Sequence, residues 1–92
     1  MEITEVKIYP FDTRGIGGRI RAVAHIILDN QLIIKDIKLI QNKHGGYFIS
    51  FPKKRTTSGK FVDIVEPLSK ELEENIRRVI VDKYKEIMGI GD

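Results

Sequence analysis

Four cations crowd into eight positions near the middle of the chain: Lys53, Lys54, Arg55 and Lys60. No acid falls between them. Ammonium and guanidinium groups gathered in this way suit contact with phosphate oxygens, the interaction that supplies most sequence-independent affinity for nucleic acid. Arg55 adds a planar fork able to grip a phosphate or a guanine edge with two hydrogen bonds. The plainer reading is a solvated loop that keeps a sheet edge soluble. Sixteen Lys and Arg stand against thirteen Asp and Glu in the whole chain, for a formal charge of +3. Without these four the basic count falls to twelve, so the entire positive excess rests on this one segment.

Other residues could widen such a patch. Arg19, Arg21 and Lys38 would extend it if their strand faces point outward. Arg77 and Arg78 are adjacent cations toward the chain's end, but they share their surroundings with Glu71, Glu74 and Asp82, the mixed signs of a solvated face. Tyr47, Phe48, Phe51 and Phe61 flank the basic segment, and aromatic rings can stack unpaired bases. In a small sheet aromatics more often fill the core. Phe48 is the best exception, because it alternates away from Tyr47, Ile49 and Phe51.

Rival chemistries find little support. Cysteine is absent, which excludes disulfides, thiolate metal sites and cysteine nucleophiles. His25 and His44 fall in different elements, and neither has a carboxylate at metal-ligand spacing. Gly15-Ile16-Gly17-Gly18 echoes a dinucleotide fingerprint, yet Ile20 stands where the third glycine belongs and a strand follows where a helix should. Ser50, Ser58 and Ser69 sit in no nucleophile motif. The residues therefore point to no catalytic group, metal, cofactor or small-molecule substrate, and the chain is not expected to be an enzyme.

The elements that must hold the cations can be read from the apolar spacing. Glu2 to Tyr9 alternates, with Val6 and Ile8 on one side and Glu5 and Lys7 on the other, as a half-buried strand does. Pro10 ends it, and a glycine-rich connection runs to Gly18. Arg19 to Leu28 has the clearest period of two: Ile20, Ala22, Ala24, Ile26 and Leu28 share one face, and Arg19, Arg21, Val23, His25 and Ile27 the other. Asp29-Asn30 suits a two-residue turn. Leu32 to Ile40 returns as a third strand, with Ile33, Ile37 and Leu39 on one face and Asp36 and Lys38 on the other. Tyr47 to Phe51 forms a fourth, closed by Pro52, which has no N–H to donate. The basic segment follows as a loop, then a short fifth strand over 61–65.

Pro67 marks the change to helical period. Ser69 is placed to cap a helix over 70–88, with Glu71, Glu73 and Glu74 in its early turns, where the dipole favours anions. Leu72, Ile76, Val79, Ile80, Lys83, Tyr84 and Ile87 form its inner stripe, and Gly89 follows as the left-handed stop. The fold class is therefore α+β: a small antiparallel sheet of about five strands, joined by short polar turns, with one C-terminal amphipathic helix. Ninety-two residues make a single domain over 1–92, a size at which dimerisation would usefully add buried surface. No apolar run approaches the ~20 residues that span a bilayer, and the charged N-terminus is unlike a secretory signal. A cytoplasmic protein is expected.

Arg19-Ile20-Arg21-Ala22-Val23-Ala24-His25-Ile26-Ile27-Leu28-Asp29, Ile34-Lys35-Asp36-Ile37-Lys38-Leu39-Ile40, Gly46-Tyr47-Phe48-Ile49-Ser50-Phe51-Pro52-Lys53-Lys54-Arg55 and Gly59-Lys60-Phe61-Val62-Asp63-Ile64-Val65-Glu66-Pro67 resemble, in order, the successive blocks of the SpoVG septation-protein family. The resemblance implies an antiparallel sheet with a C-terminal helix. It also implies a homodimeric cytoplasmic regulator that binds DNA and RNA and is tied to septation, sporulation and control of gene expression. It carries nucleic-acid contact to Lys53, Lys54 and Arg55. Two departures stand out. Lys53 replaces the small residue usual after the proline, and the connection from Pro10 to Gly18 is longer. The alternative function is a protein-interaction module that acts on division machinery without touching nucleic acid.

Overall fold

The computed structural model describes residues 1–11 and 18–91. Its elements, in chain order, are β1 (Ile3–Pro10), β2 (Ile20–Leu28), β3 (Leu32–Gln41), β4 (Tyr47–Ser50), β5 (Lys53–Arg55), β6 (Phe61–Asp63) and α1 (Lys70–Met88). Strands β1 to β4 form an antiparallel meander in the order β1-β2-β3-β4. The α+β class and the single terminal helix are as expected. The glycine-rich connection anticipated between Pro10 and Gly18 lies, over 12–17, outside the described residues.

The two-residue turn holds. Gln31 N–H donates to the Leu28 carbonyl at 2.9 Å, and Asp29 and Asn30 take φ of 51° and 54°. These are left-handed values that Asp and Asn tolerate because their short side chains bond locally.

Alternation along β2 places Ala22, Ala24, Ile26 and Leu28 in the core. Ile8 from β1, Ile37 and Leu39 from β3, and Phe51 just past β4 join them, and Ile76, Ile80, Val81 and Tyr84 of α1 cover the same face. Ser69 caps α1 as predicted, its hydroxyl accepting from the Leu72 N–H at 3.1 Å. Gly89 closes it at φ 70°. The inner stripe differs at two places: Val81 is buried between Ile80 and Tyr84, while Ile87, in the last turn, is 47% exposed. A core-facing stripe wider than about 100° takes in such an extra position.

Two sheet expectations need correction. Ile33 does not share a face with Ile37 and Leu39. The β2–β3 register slips between Ala24 and Ile26, giving β3 one extra residue, and Asp36 adopts φ 63°. One extra residue flips every side chain beyond it, so Ile34 packs against the core and Ile33 turns outward opposite Ile27. The fifth strand, in turn, does not join the main sheet. It is shortened to Phe61–Asp63 and pairs only with Lys53–Arg55, as a separate two-stranded ribbon. The segment expected to be a basic loop is thus itself a strand. Three consecutive cations carry no apolar alternation, so the period-two signal is blind to them.

No helix among the described residues is long and apolar enough to cross a membrane.

Candidate nucleic-acid interface

Pro52 makes the ribbon a separate body. Lacking an N–H, it cannot extend the β4 ladder, but its carbonyl accepts from the Ile64 N–H at 2.9 Å and so ties the ribbon's two legs together at the base. At the tip, Thr56 N–H donates to the Lys60 carbonyl at 2.7 Å and Gly59 N–H to the Thr56 carbonyl at 2.9 Å. This is a three-residue hairpin loop whose last position must be left-handed. Gly59 supplies it at φ 86°. The Thr56 hydroxyl lies 2.9 Å from the Ser58 hydroxyl and accepts from the Lys60 N–H at 3.3 Å. The tip is therefore held by its own backbone and hydroxyls, and the ribbon touches the rest of the molecule only sparsely.

Register decides which cations face together. Lys53 pairs with Asp63, Lys54 with Val62 and Arg55 with Phe61. Because side chains alternate across a strand, Lys53, Arg55, Phe61 and Asp63 share one face, and Lys54 and Val62 the other. All six are exposed. The ammonium of Lys53 is bonded to the Asp63 carboxylate, so it neutralises the ribbon's single acid and braces its base. Lys54, Arg55 and Lys60 form no salt bridge among the described residues. The Arg55 guanidinium lies over the turn, its Nη2 3.7 Å from where a Cβ on Gly59 would sit. Three of the four expected cations thus stand free on a projecting arm, and the fourth is engaged.

The secondary candidates disperse. Arg19 is exposed at the end of the sheet, where its carbonyl accepts from the Gln41 N–H at 3.0 Å. Arg21 is half-buried, its Nε donating to Gln41 Oε1 at 3.1 Å. The register slip between Ile20 and Ala22 brings it near Tyr84, where its charge acts on the phenol. Arg21 therefore does not extend an outward patch. Lys38 reaches Asp36 at 3.0 Å. Arg77 is clamped by Glu74, with Nε 2.9 Å from Oε2 and a second bond from Nη2 to Oε1. Its Nη1 leans on the Tyr47 carbonyl at 3.5 Å. The hydrogen bond from Arg77 holds the Glu74 carboxyl below its ordinary value, and the same bond raises the guanidinium. Arg77 joins the helix to β4, while its neighbour Arg78 turns outward and donates to Asn75 Oδ1 at 2.9 Å.

The aromatics sort differently from expectation at one position. Phe51 is core. Tyr47 is half-buried in an edge contact with Tyr84 at 6.0 Å, with the Lys85 ammonium 5.8 Å from its ring centre. Phe48 is exposed, as its alternation implied. Phe61 is 68% exposed, more than any other described aromatic. Sequence reasoning placed it in a short fifth strand and grouped it with aromatics that more often fill the core. The signal that could have corrected this is the turn chemistry of Thr56-Thr57-Ser58-Gly59 flanked by two short, equal legs.

His25 is half-buried with its ring 4.9 Å from Tyr9. His44 is exposed in a turn, where its N–H donates to Asn42 Oδ1 at 2.9 Å. Among the described residues no group of three or more His, Asp or Glu is arranged to hold a metal ion.

The fold, the order of its blocks and the arm after the proline can now be set beside known proteins. The SpoVG family model matches residues 1–86. The chain belongs to the SpoVG family. It is 37% identical over 87 residues to a protein of Acetivibrio thermocellus, covering 95% of this chain and 88% of the relative. It is 36% identical over 87 residues to one of Shouchella clausii, covering 95% and 85%. Against one of Caldicellulosiruptor saccharolyticus it is 29% identical over the full length of both. All three relatives bear the name "Putative septation protein SpoVG". The match over residues 1–86 takes in the sheet, the arm and most of the SpoVG helix.

Proposed function

We propose that this SpoVG protein is a non-catalytic cytoplasmic regulator that binds DNA, RNA or both through its arm. Its proposed links to septation, sporulation and control of gene expression follow from family membership. Lys54, Arg55 and Lys60 contact phosphates, while Lys53 braces the arm through Asp63. The observation that carries this reading is the free standing of those three cations on a ribbon whose one acid is already paired. A projecting ribbon can follow a phosphate backbone without the body approaching it, and the paired acid removes the nearest source of repulsion.

The working unit is a homodimer. Ile64 and Leu68, 59% and 95% exposed in the stretch of chain that leads from the arm to α1, are apolar surface that a second copy would cover. With three cations per protomer, six phosphates are neutralised, and the log–log dependence of duplex binding on salt has a slope of about −5. The triple variant Lys54→Ala/Arg55→Ala/Lys60→Ala loses most binding and keeps its circular dichroism spectrum. Retained affinity in that variant would move the interface to another surface.

The same exposed apolar residues, with Val62, favour a second reading, a module that docks a protein of the division machinery. Blank gel shifts at low salt, with a partner captured through Ile64 and Leu68, would favour it.

A further inference from the structure

We propose that Phe61 is a stacking platform for one unpaired base of a single-stranded nucleic acid. The proposal rests on the reading of the arm as a phosphate-binding element, and adds to it a base contact and a preference for single strands.

Phe61 lies directly across the ribbon from Arg55, on the same face. Residues paired in this way have Cβ atoms ~5 Å apart, so the two side chains leave the ribbon side by side, with the guanidinium reaching over the turn toward Gly59. The ring is 68% exposed, and neither the main sheet nor the helix covers the strand that carries it. Two other aromatics near the arm are accounted for, Phe51 by the core and Tyr47 by its contact with Tyr84.

Charge selects the occupant. Phe61 shares its face with the unpaired Arg55, Lys60 precedes it in the chain and Lys54 stands on the other face of the same arm. The acid on its own face, Asp63, is held by Lys53. A second copy laying its arm over Phe61 would bring the same three cations with it, setting like charges against each other. A nucleotide brings an aromatic face and a negative phosphate together, which matches an exposed ring paired across the ribbon with an unpaired guanidinium. In a duplex the base faces are already stacked on one another and closed to the ring. The stacking contact therefore favours single strands, whereas the phosphate contacts serve both.

The test compares wild type, Phe61→Ala, Phe61→Leu and Phe61→Tyr by fluorescence anisotropy at one salt concentration. The probes are a labelled single-stranded oligothymidylate, an abasic oligonucleotide of equal phosphate count and a duplex. Removing a stacked base contact weakens single-strand binding by about 5- to 150-fold in both the Ala and Leu variants, and the Tyr variant restores most of it. The duplex and abasic affinities shift by less than about twofold, because phosphate contact alone holds those probes.

Leu matching wild type would reduce Phe61 to an apolar prop and overturn the proposal. Equal losses on single strand and duplex, or a change of sedimenting mass in the Ala variant, would overturn it too. In each of those cases the phosphate reading survives. A wild-type protein that binds no probe at low salt would overturn both together.

Discussion

The body and the arm of this SpoVG protein use the same residue types to opposite ends. In the body, Ile26, Ile37, Leu39 and Ile80 are fully buried, and cations such as Arg77 and Lys38 are engaged by acids close by in the chain. In the arm, Phe61, Val62 and the neighbouring Ile64 stand in solvent, and three cations lack an acid partner among the described residues. The body gains its stability from burial shared among many elements. The arm has no core and depends on a tight turn, a short ladder and one ion pair. A region that forgoes burial and charge pairing in this way leaves its surface open for contact with something else.

The contrast can be broken most forcefully from the body side. Ile80→Ala removes a fully buried side chain between helix and sheet. It should cost about 2–5 kcal/mol of global stability, read as a lower midpoint in urea. The arm's hairpin should persist up to that midpoint.

A smaller and local effect is expected at the tip. Gly59→Ala puts a Cβ on a residue at φ 86°, which costs about 1–2 kcal/mol. Amide exchange should quicken at Thr56 and Gly59, while the amide of Ile80 keeps its protection. Equal loosening of both would mean that arm and body are one cooperative unit.

Ser69→Ala removes the acceptor for the Leu72 N–H and should cost about 1 kcal/mol. Because α1 closes the body, this loss appears in the global midpoint and leaves binding by the arm unchanged.

The last effect is one of pH. Burial is the main cause that raises the Tyr84 phenol above its ordinary value of 10.0. The unfolded chain then gives up this proton first, so the native state holds more protons above that pH. The contribution of Tyr84 is intact below pH 10 and is lost as pH climbs toward the raised value. Tyr84→Phe should flatten the alkaline fall in thermal midpoint, and a fall of unchanged steepness would assign it to other groups.

Much of the body was legible from residue order alone. The strict alternation from Ile20 to Leu28, the turn at Asp29-Asn30, the cap at Ser69 and the stop at Gly89 are local signals, and each corresponds to one backbone geometry. Ile33 was misassigned because a bulge at Asp36 depends on how β3 fits against β2, and no single strand carries that information. The arm was misread for a different reason. Its strand of three cations has no apolar face, so its pairing shows only once Pro52, the Thr56–Gly59 turn and the opposite leg are considered together.

What the sequence by itself determined, then, was the α+β class, the succession of body elements and the concentration of positive charge after Pro52. These depend on side-chain period and backbone preference, which act over a few neighbouring residues. Only the tertiary structure decided that Lys53 is spent on Asp63, that Arg21 and Arg77 turn to Gln41 and Glu74, and that Phe61 stands beside Arg55 in the open. Apart from the Glu74–Arg77 pair, which lies within one helical turn, those outcomes rest on distances between residues on different strands, and such distances exist only once the strands have paired.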